Sequence, residues 1–253
     1  MADVPECLSV IVPSYNEEAT IAHVVRKVLR LAAVLEVIVV NDCSRDRTAE
    51  IVQGLMAEDS RVRLLQHSVN RGKTAALKTG FAEVRGDIVI VQDADLEYDP
   101  EEIPEVIQPI IDGKADVVYG SRFLVRKASR VLYFYHFLAN KALTFTSNLF
   151  TNINLTDVET GYKAFRAPIM RNMKITSSGF GFEIEVTAKV SKLKCAMYEV
   201  PISYYGRTYE QGKKIGTMDG IAAFWYILRY NVFSNLSSSF TTIPSLPSRH
   251  PED

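Results

Sequence analysis

Two carboxylates, Asp93 and Asp95, close the stretch Gly86-Asp87-Ile88-Val89-Ile90-Val91-Gln92-Asp93-Ala94-Asp95-Leu96-Glu97, where a short apolar run gives way at once to acids. Ile88 to Val91 are all β-branched and too few for a spanning helix, which predicts a strand buried on both faces, as in a parallel sheet. The acids then stand at its carboxyl end, beside the crevice in which open α/β sheets bind ligands. A separation of two residues puts Asp93 and Asp95 on one face of a continuing strand, and a turn at Ala94 converges them on one ion. Hard oxygen donors of this kind, with Glu97 as a third, suit Mg²⁺ or Mn²⁺ when a substrate's phosphates complete the shell. The alternative is that Asp93, Asp95, Glu97 and Asp99 cap a following helix that Pro100, Glu101 and Glu102 begin.

The elements that must position these acids repeat one design. Leu8 to Val12 predicts a strand stopped by Pro13, and Ser14-Tyr15-Asn16-Glu17-Glu18 opens a helix whose apolar residues run from Ile21 to Ala32 at helical spacing. Val37 to Val40 ends in Asn41-Asp42-Cys43-Ser44-Arg45-Asp46-Arg47-Thr48 and a helix to about Ala57, and Val62 to Leu65 supplies a third strand. Asn70-Arg71-Gly72-Lys73 introduces another helix leading into the strand at Ile88. Strands alternating with helices imply βαβ units with right-handed crossovers. Their polar turns therefore surround one cleft with Tyr15, Glu17, Asp42, Lys73, Asp93 and Asp95. Acids there can accept from a nucleobase edge and ribose hydroxyls, and Lys73 can meet a phosphate. Gly72-Lys73-Thr74 is not a P-loop, because His67 stands where that motif needs glycine, and no G-x-G-x-x-G follows the first strand.

The 253 residues are of ordinary globular composition, and their net charge of −1 gives no case for nucleic acid. Between Lys114 and Lys174, however, ten Lys or Arg face only three acids, a field suited to a phosphate-bearing partner or an anionic membrane. Cys7, Cys43 and Cys195 are odd in number and far apart, so a reducing cytosol with no disulfide or structural zinc is expected. No signal sequence and no run of about 18 apolar residues is visible, so any membrane contact is expected to be peripheral.

The chain resembles the family 2 glycosyltransferases, which have the GT-A fold, from Leu8 to about Phe233. The marks are Val12-Pro13-Ser14-Tyr15-Asn16-Glu17, the Asn41 to Thr48 segment, Asn70-Arg71-Gly72-Lys73 and Asp93-Ala94-Asp95. The resemblance implies that Pro13, Tyr15, Glu17, Asp42, Lys73 and Ala94 belong to the donor site, and that Asp95, helped by Asp93, binds the divalent metal on a nucleoside diphosphate. Cys43 stands where many members have glycine.

The second half resembles the dolichol-phosphate mannose synthases and related polyprenyl-phosphate glycosyltransferases. Asp116 to Gly120 predicts a strand followed by Ser121-Arg122-Phe123, and Val131 to Thr151 forms a wide aromatic face on one or two helices. Flanked by Arg122, Arg126, Lys127 and Arg130, such a segment can lie in a membrane interface or pack as a core helix pair. Leu155 to Arg166 resembles the acceptor-facing segment of that subgroup, which makes Asp157 the candidate for orienting or deprotonating the acceptor and Glu159 the second. Both can instead be turn acids. Phe182 to Leu193 predicts a helix whose Glu183 and Glu185 complement its dipole, and Met197 to Tyr204 a further strand. Tyr205 to Gly216 carries Arg207, Lys213 and Lys214 among glycines, which suits either a mobile flap closing on phosphate or a solvated loop. Ile221 to Val232 predicts a last amphipathic helix, and the serines and prolines from Ser237 to Asp253 a disordered tail.

The expectation is one mostly parallel α/β domain over residues 1–236, with a nucleotide-sugar half to residue 112 and an acceptor half from 113. Its activity would be inverting, metal-dependent transfer of a hexose, mannose or glucose, from a UDP- or GDP-sugar to a polyprenyl or dolichyl phosphate. Arg122, Arg130 and Arg207 would hold the phosphates, at the cytoplasmic face of a membrane, with a homo-oligomer or a separate membrane subunit as further partners. A soluble sugar or glycan acceptor, and a noncatalytic sugar-nucleotide-binding or scaffolding role, are the alternatives.

Overall fold

The computed structural model describes residues 6–124, 133–179, 181–206 and 217–247. In chain order they form β1 (Leu8–Ser14), α1 (Ile21–Leu29), β2 (Val34–Asn41), α2 (Thr48–Glu58), β3 (Val62–Gln66), α3 (Lys73–Ala82) and β4 (Ile88–Val91). A 3₁₀ turn at Pro100–Glu102 precedes α4 (Ile103–Ile111), β5 (Val117–Ser121), α5 (Phe134–Thr151), β6 (Lys163–Arg166) and α6 (Ala167–Asn172). The chain continues with α7 (Phe182–Leu193), β7 (Met197–Pro201), α8 (Thr217–Val232) and α9 (Leu236–Ser239).

These strands make one seven-stranded sheet in the order β3-β2-β1-β4-β6-β5-β7. All pairings are parallel except those of β6, which runs antiparallel to β4 and β5. The β4–β6 ladder joins the two halves of the chain in a single sheet. The reversal also brings the loop entering β6 to the edge where the other strands release theirs.

Both faces of the sheet are covered, as the continuous apolar strands require. Val10, Val12, Val37, Val39 and Ile90 pack with α1, α2 and α4, while Ile11, Ile38, Val40, Val89 and Val91 pack with α3, α6 and α7. Alternation along each strand sends neighbours to opposite cores. The helix α5 is single, and only Leu143, Thr144 and Ser147 of it are buried. Its neighbours are α7 and α8. No described helix is long and apolar enough to cross a membrane.

Three differences from the sequence expectations have local causes. The first helix starts at Ile21 instead of near Ser14, because Asn16 is left-handed and the Asn16, Glu17 and Glu18 amides donate to Ser44, Thr48 and Asp46. β6 was not expected, since four residues with Lys163 and Arg166 at their ends give no apolar run long enough to mark a strand. The tail expected to be disordered from Ser237 is folded as far as it is described, through residue 247. Asn235 and Ser238 form a capping box, Phe240 is 2% exposed among Met173 and other core residues, and the Thr241 amide donates to the Asn172 carbonyl. Serine-rich composition conceals one aromatic anchor and one cap. Phe240→Ala should therefore destabilise the protein by about 3–5 kcal/mol; an unchanged urea midpoint would show that this segment contributes nothing.

Candidate functional site

The strand ends surround a cleft of about 480 Å³, in the range of small-molecule sites. Because the strands lie in a known order, the lining residues do too. Over β1 to β3 stand Pro13, Tyr15, Glu17, Asp42 and Asn70. Lys73, Asp93, Ala94, Asp95 and Glu97 follow at β4. Tyr98, Arg122, Glu159, Gly161, Glu183 and Tyr204 close the β6–β5 side. The structure thus brings the described donor-site and metal candidates of the sequence together, and Arg122 with them. Arg130, Arg207, Lys213 and Lys214 lie outside the described residues, as do Arg126 and Lys127.

At the first end, two turns are laced to each other. Besides the three amides already named, Asn16 Oδ1 accepts from the Arg45 amide at 2.8 Å, and Asn41 Oδ1 from the Ser44 amide at 3.1 Å. Cys43 takes a positive φ of 61°, in a position where glycine would be unstrained. The Asp42 carboxylate accepts from the Arg71 and Gly72 amides, the latter at 2.7 Å, and meets His67 Nδ1 at 2.6 Å. The other His67 nitrogen lies 2.9 Å from the Thr79 hydroxyl. Asp42 therefore fixes the Asn70-Arg71-Gly72 loop in addition to lining the cleft.

In the middle, Lys73 Nζ lies 2.8 Å from Asp93 and 3.7 Å from Glu183. Burial would lower the ammonium's pKa, but the Asp93 and Glu183 carboxylates raise it above its ordinary value, so Lys73 is a fixed cation. Asp95 Oδ1 accepts from the Glu97 amide at 3.1 Å, and Glu97 accepts from the Tyr204 hydroxyl at 2.8 Å. Gly161 sits so close that a Cβ would fall 2.9 Å from both Asp93 Oδ2 and the Tyr98 ring. Its amide donates to the Tyr98 hydroxyl at 2.9 Å, and Tyr98 stacks on Tyr162 with centroids 4.8 Å apart.

Among the described residues, no three His, Cys, Asp or Glu side chains form a group that could hold an ion by themselves. The donor set at Asp93 and Asp95 fits a hard cation that draws most of its ligands from a bound diphosphate and water, which is how Mg²⁺ is commonly held.

At the far side, Arg122 grips Asp157 with Nε at 2.6 Å and a terminal nitrogen at 2.7 Å. Asp157 is 0% exposed and sits behind Arg122, away from the cleft lining, with Asn140 of α5 donating to it at 3.3 Å. Burial pushes this carboxyl up, yet the Arg122 guanidinium overrides burial and holds it below the usual carboxylate range. Glu159 differs: burial and then the neighbouring Glu183 push its carboxyl above that range, against Lys163 and Arg122. Its Oε1 is shielded from solvent and has no hydrogen-bond partner among the described residues. Lys163 is fully buried, its ammonium donating to the Val158 and Thr160 carbonyls over the Tyr119 ring, and burial depresses its pKa.

Glu183, assigned from sequence to the helix dipole, was missed as a cleft residue, as were Tyr98, Gly161 and Tyr204. Placing Glu183 there depends on α7 packing against α3, where Phe81 and Phe182 stack at 5.8 Å. No local signal carries that contact. Gly161 alone had one, as the glycine of an otherwise bulky run.

The glycosyl transferase family 2 profile matches residues 9–173. An undecaprenyl-phosphate mannosyltransferase of Micrococcus luteus is 29% identical, over 87% of this chain and 96% of its own. A dolichol-phosphate mannosyltransferase of Pyrococcus furiosus is 30% identical over 83% of this chain, which spans 59% of that longer protein. Among solved structures, glucosyl-3-phosphoglycerate synthase of Mycobacterium tuberculosis in complex with Mn²⁺ and UDP-glucose superposes with a TM-score of 0.70. That match is 20% identical over 89% of this chain and 79% of the other, a likeness of fold. The GT-A architecture expected from the motifs is the one observed, and the chain belongs to glycosyl transferase family 2.

Proposed function

We propose that this chain transfers a hexose from a nucleoside diphosphate sugar to a polyprenyl phosphate at a membrane surface, inverting the anomeric carbon. The names of the M. luteus and P. furiosus relatives support this acceptor class. The observation that carries the reading is the two-sidedness of α5. Its inner side holds the far end of the cleft, with Asn140 bonded to Asp157 and Lys141 Nζ donating to the Thr156 carbonyl at 3.1 Å. Its outer side exposes Phe134, Tyr135, Leu138, Phe145 and Leu149, with Tyr135 81% exposed. The adjoining α8 continues that surface with Phe224, Trp225, Leu228 and Val232. Exposed apolar area of this extent marks an interaction surface, and aromatic side chains suit the interface of a bilayer. A lipid phosphate held there would lie beside the helix whose Asn140 bonds Asp157, the partner of Arg122.

In the reaction, an acceptor phosphate oxygen attacks the anomeric carbon on the face opposite the diphosphate. The carbon–oxygen bond to the diphosphate breaks, and its electron pair leaves with the nucleoside diphosphate. Lys73, charged and fixed, stands where that negative charge grows. Asp93 and Asp95, with Glu97 beside them, would hold Mg²⁺ or Mn²⁺, which supplies further positive charge to the leaving group when bound. A phosphate monoester has a second pKa near ~6 and is largely ionised near neutrality, so no proton has to be removed. Asp157 accordingly serves as a positioning residue that orients Arg122.

With radiolabelled UDP- and GDP-hexoses, Mg²⁺ or Mn²⁺ and polyprenyl phosphate in detergent, one donor should carry its label into the organic phase. Asp95→Ala should lower that turnover by about 10²-fold or more. Nucleotide release only with soluble acceptors would refute the lipid acceptor. In flotation with anionic vesicles, Phe145→Ser combined with Leu149→Ser should shift the protein toward the unbound fraction; unchanged flotation would remove the membrane from the reading. Asp157→Asn should cost about 3–5 kcal/mol near neutral pH, because Arg122 is left without its buried partner. The native pKa of Asp157 lies below its unfolded value, so its contribution is present above the unfolded pKa and fades as pH falls through the native one. The stability gap between parent and variant should therefore narrow in acid, as followed by denaturant titration at several pH values.

A further inference from the structure

We propose that Glu159, backed by Glu183, reads the hexose itself, its carboxyl binding a ring hydroxyl of the donor sugar on the β6 side of the cleft. The inference rests on the transferase reading and adds a specificity-determining residue to it. Strand order gives the first argument. Asp42 and Asn70 stand over β2 and β3, Lys73, Asp93 and Asp95 at β4, and Glu159 in the loop entering the next strand, β6. A nucleotide sugar laid along this edge, with its nucleoside at Asp42 and its diphosphate at Lys73, carries its sugar onto Glu159.

The second argument is the carboxyl's lack of partners. Its Oε1 is enclosed by protein and unbonded among the described residues, and the side chain lines the cleft, so a ligand hydroxyl would meet the other oxygen and supply a hydrogen bond that no described residue gives. The described cations near it are engaged elsewhere. Arg122 forks onto Asp157, Lys163 donates to two carbonyls, and Lys73 pairs with Asp93.

Charge then selects the ligand. Arg122 on the same side is taken for the acceptor phosphate, and the neighbouring Glu159 and Glu183 carboxyls disfavour a further phosphate at their own position and suit a neutral hydroxyl. A hydroxyl can donate to a carboxylate or accept from a carboxylic acid, so it fits Glu159 in either protonation state. A base is not needed at this place, because the proposed acceptor brings no proton to remove.

The test is calorimetric titration of the full chain with UDP, GDP and the UDP- and GDP-hexoses in Mg²⁺, for the parent, Glu159→Ala and Glu159→Gln. The alanine variant should bind the preferred nucleotide hexose about tenfold more weakly while binding the bare nucleoside diphosphate within about twofold of the parent. The glutamine variant, which keeps a hydrogen-bonding group, should stay within about threefold for both. Equal weakening of nucleotide and nucleotide sugar, or no weakening of either, would overturn the inference while leaving the transferase reading intact. So would a glutamine variant that binds normally but loses turnover with every donor, the signature of a base. A parent that binds no nucleotide hexose and turns none over would sink both readings together.

Discussion

Where β5 ends, a guanidinium and a carboxylate meet out of water, and the second half of the molecule is arranged about that meeting. Taking both charges from solvent costs several kcal/mol each, and only close, directed hydrogen bonds offset it. Arg122 and Asp157 have them: two fork bonds, a third from the Arg122 amide at 3.2 Å, and Asn140 from α5. The pair thereby links the sheet, the loop before β6 and the long helix. It also delivers one end of a cation to the cleft while the counter-ion stays behind it. A lone buried arginine would have no reason to stand there.

The opposite end of the cleft is organised by neutral and charge-assisted bonds instead. The turns after β1 and β2 exchange amide and side-chain bonds, and Asp42 ties the turn after β3 to them. Much of the Asn41 to Thr48 motif is therefore scaffolding. Ser44, Asp46 and Thr48 hold the backbone of Asn16, Glu17 and Glu18, so Tyr15 and Glu17 reach the cleft from a fixed turn. Between the two ends, Lys73 and Asp93 neutralise each other at the place where phosphate chemistry would need both signs of charge.

The sequence disclosed what depends on local pattern. The run Ile88 to Val91 is buried throughout, and the acids after it do line the cleft, because a parallel strand covered by helices has only one open end. It concealed what depends on contacts made elsewhere. Nothing local marked β6 as a strand, and Lys163 lies inside because two carbonyls of its own loop fold over the ammonium. Asp157, the acceptor-side candidate of the sequence, has both its oxygens bonded by Arg122, a contact no local pattern announces. Ser237 to Ser239 looked disordered because composition averages over Phe240, the residue that docks the segment.

The reversed direction of β6 divides the labour of the cleft. The cleft residues over β1 to β4 leave the ends of parallel strands whose helices fix their spacing, so a change there disturbs crossover geometry. Glu159 and Gly161 instead arrive on the way into β6, on a connection from α5 that no crossover constrains. The scaffold is thus modular in one direction: the α5–β6 connection can be rebuilt while β1 to β4 and the turns that follow them keep their geometry.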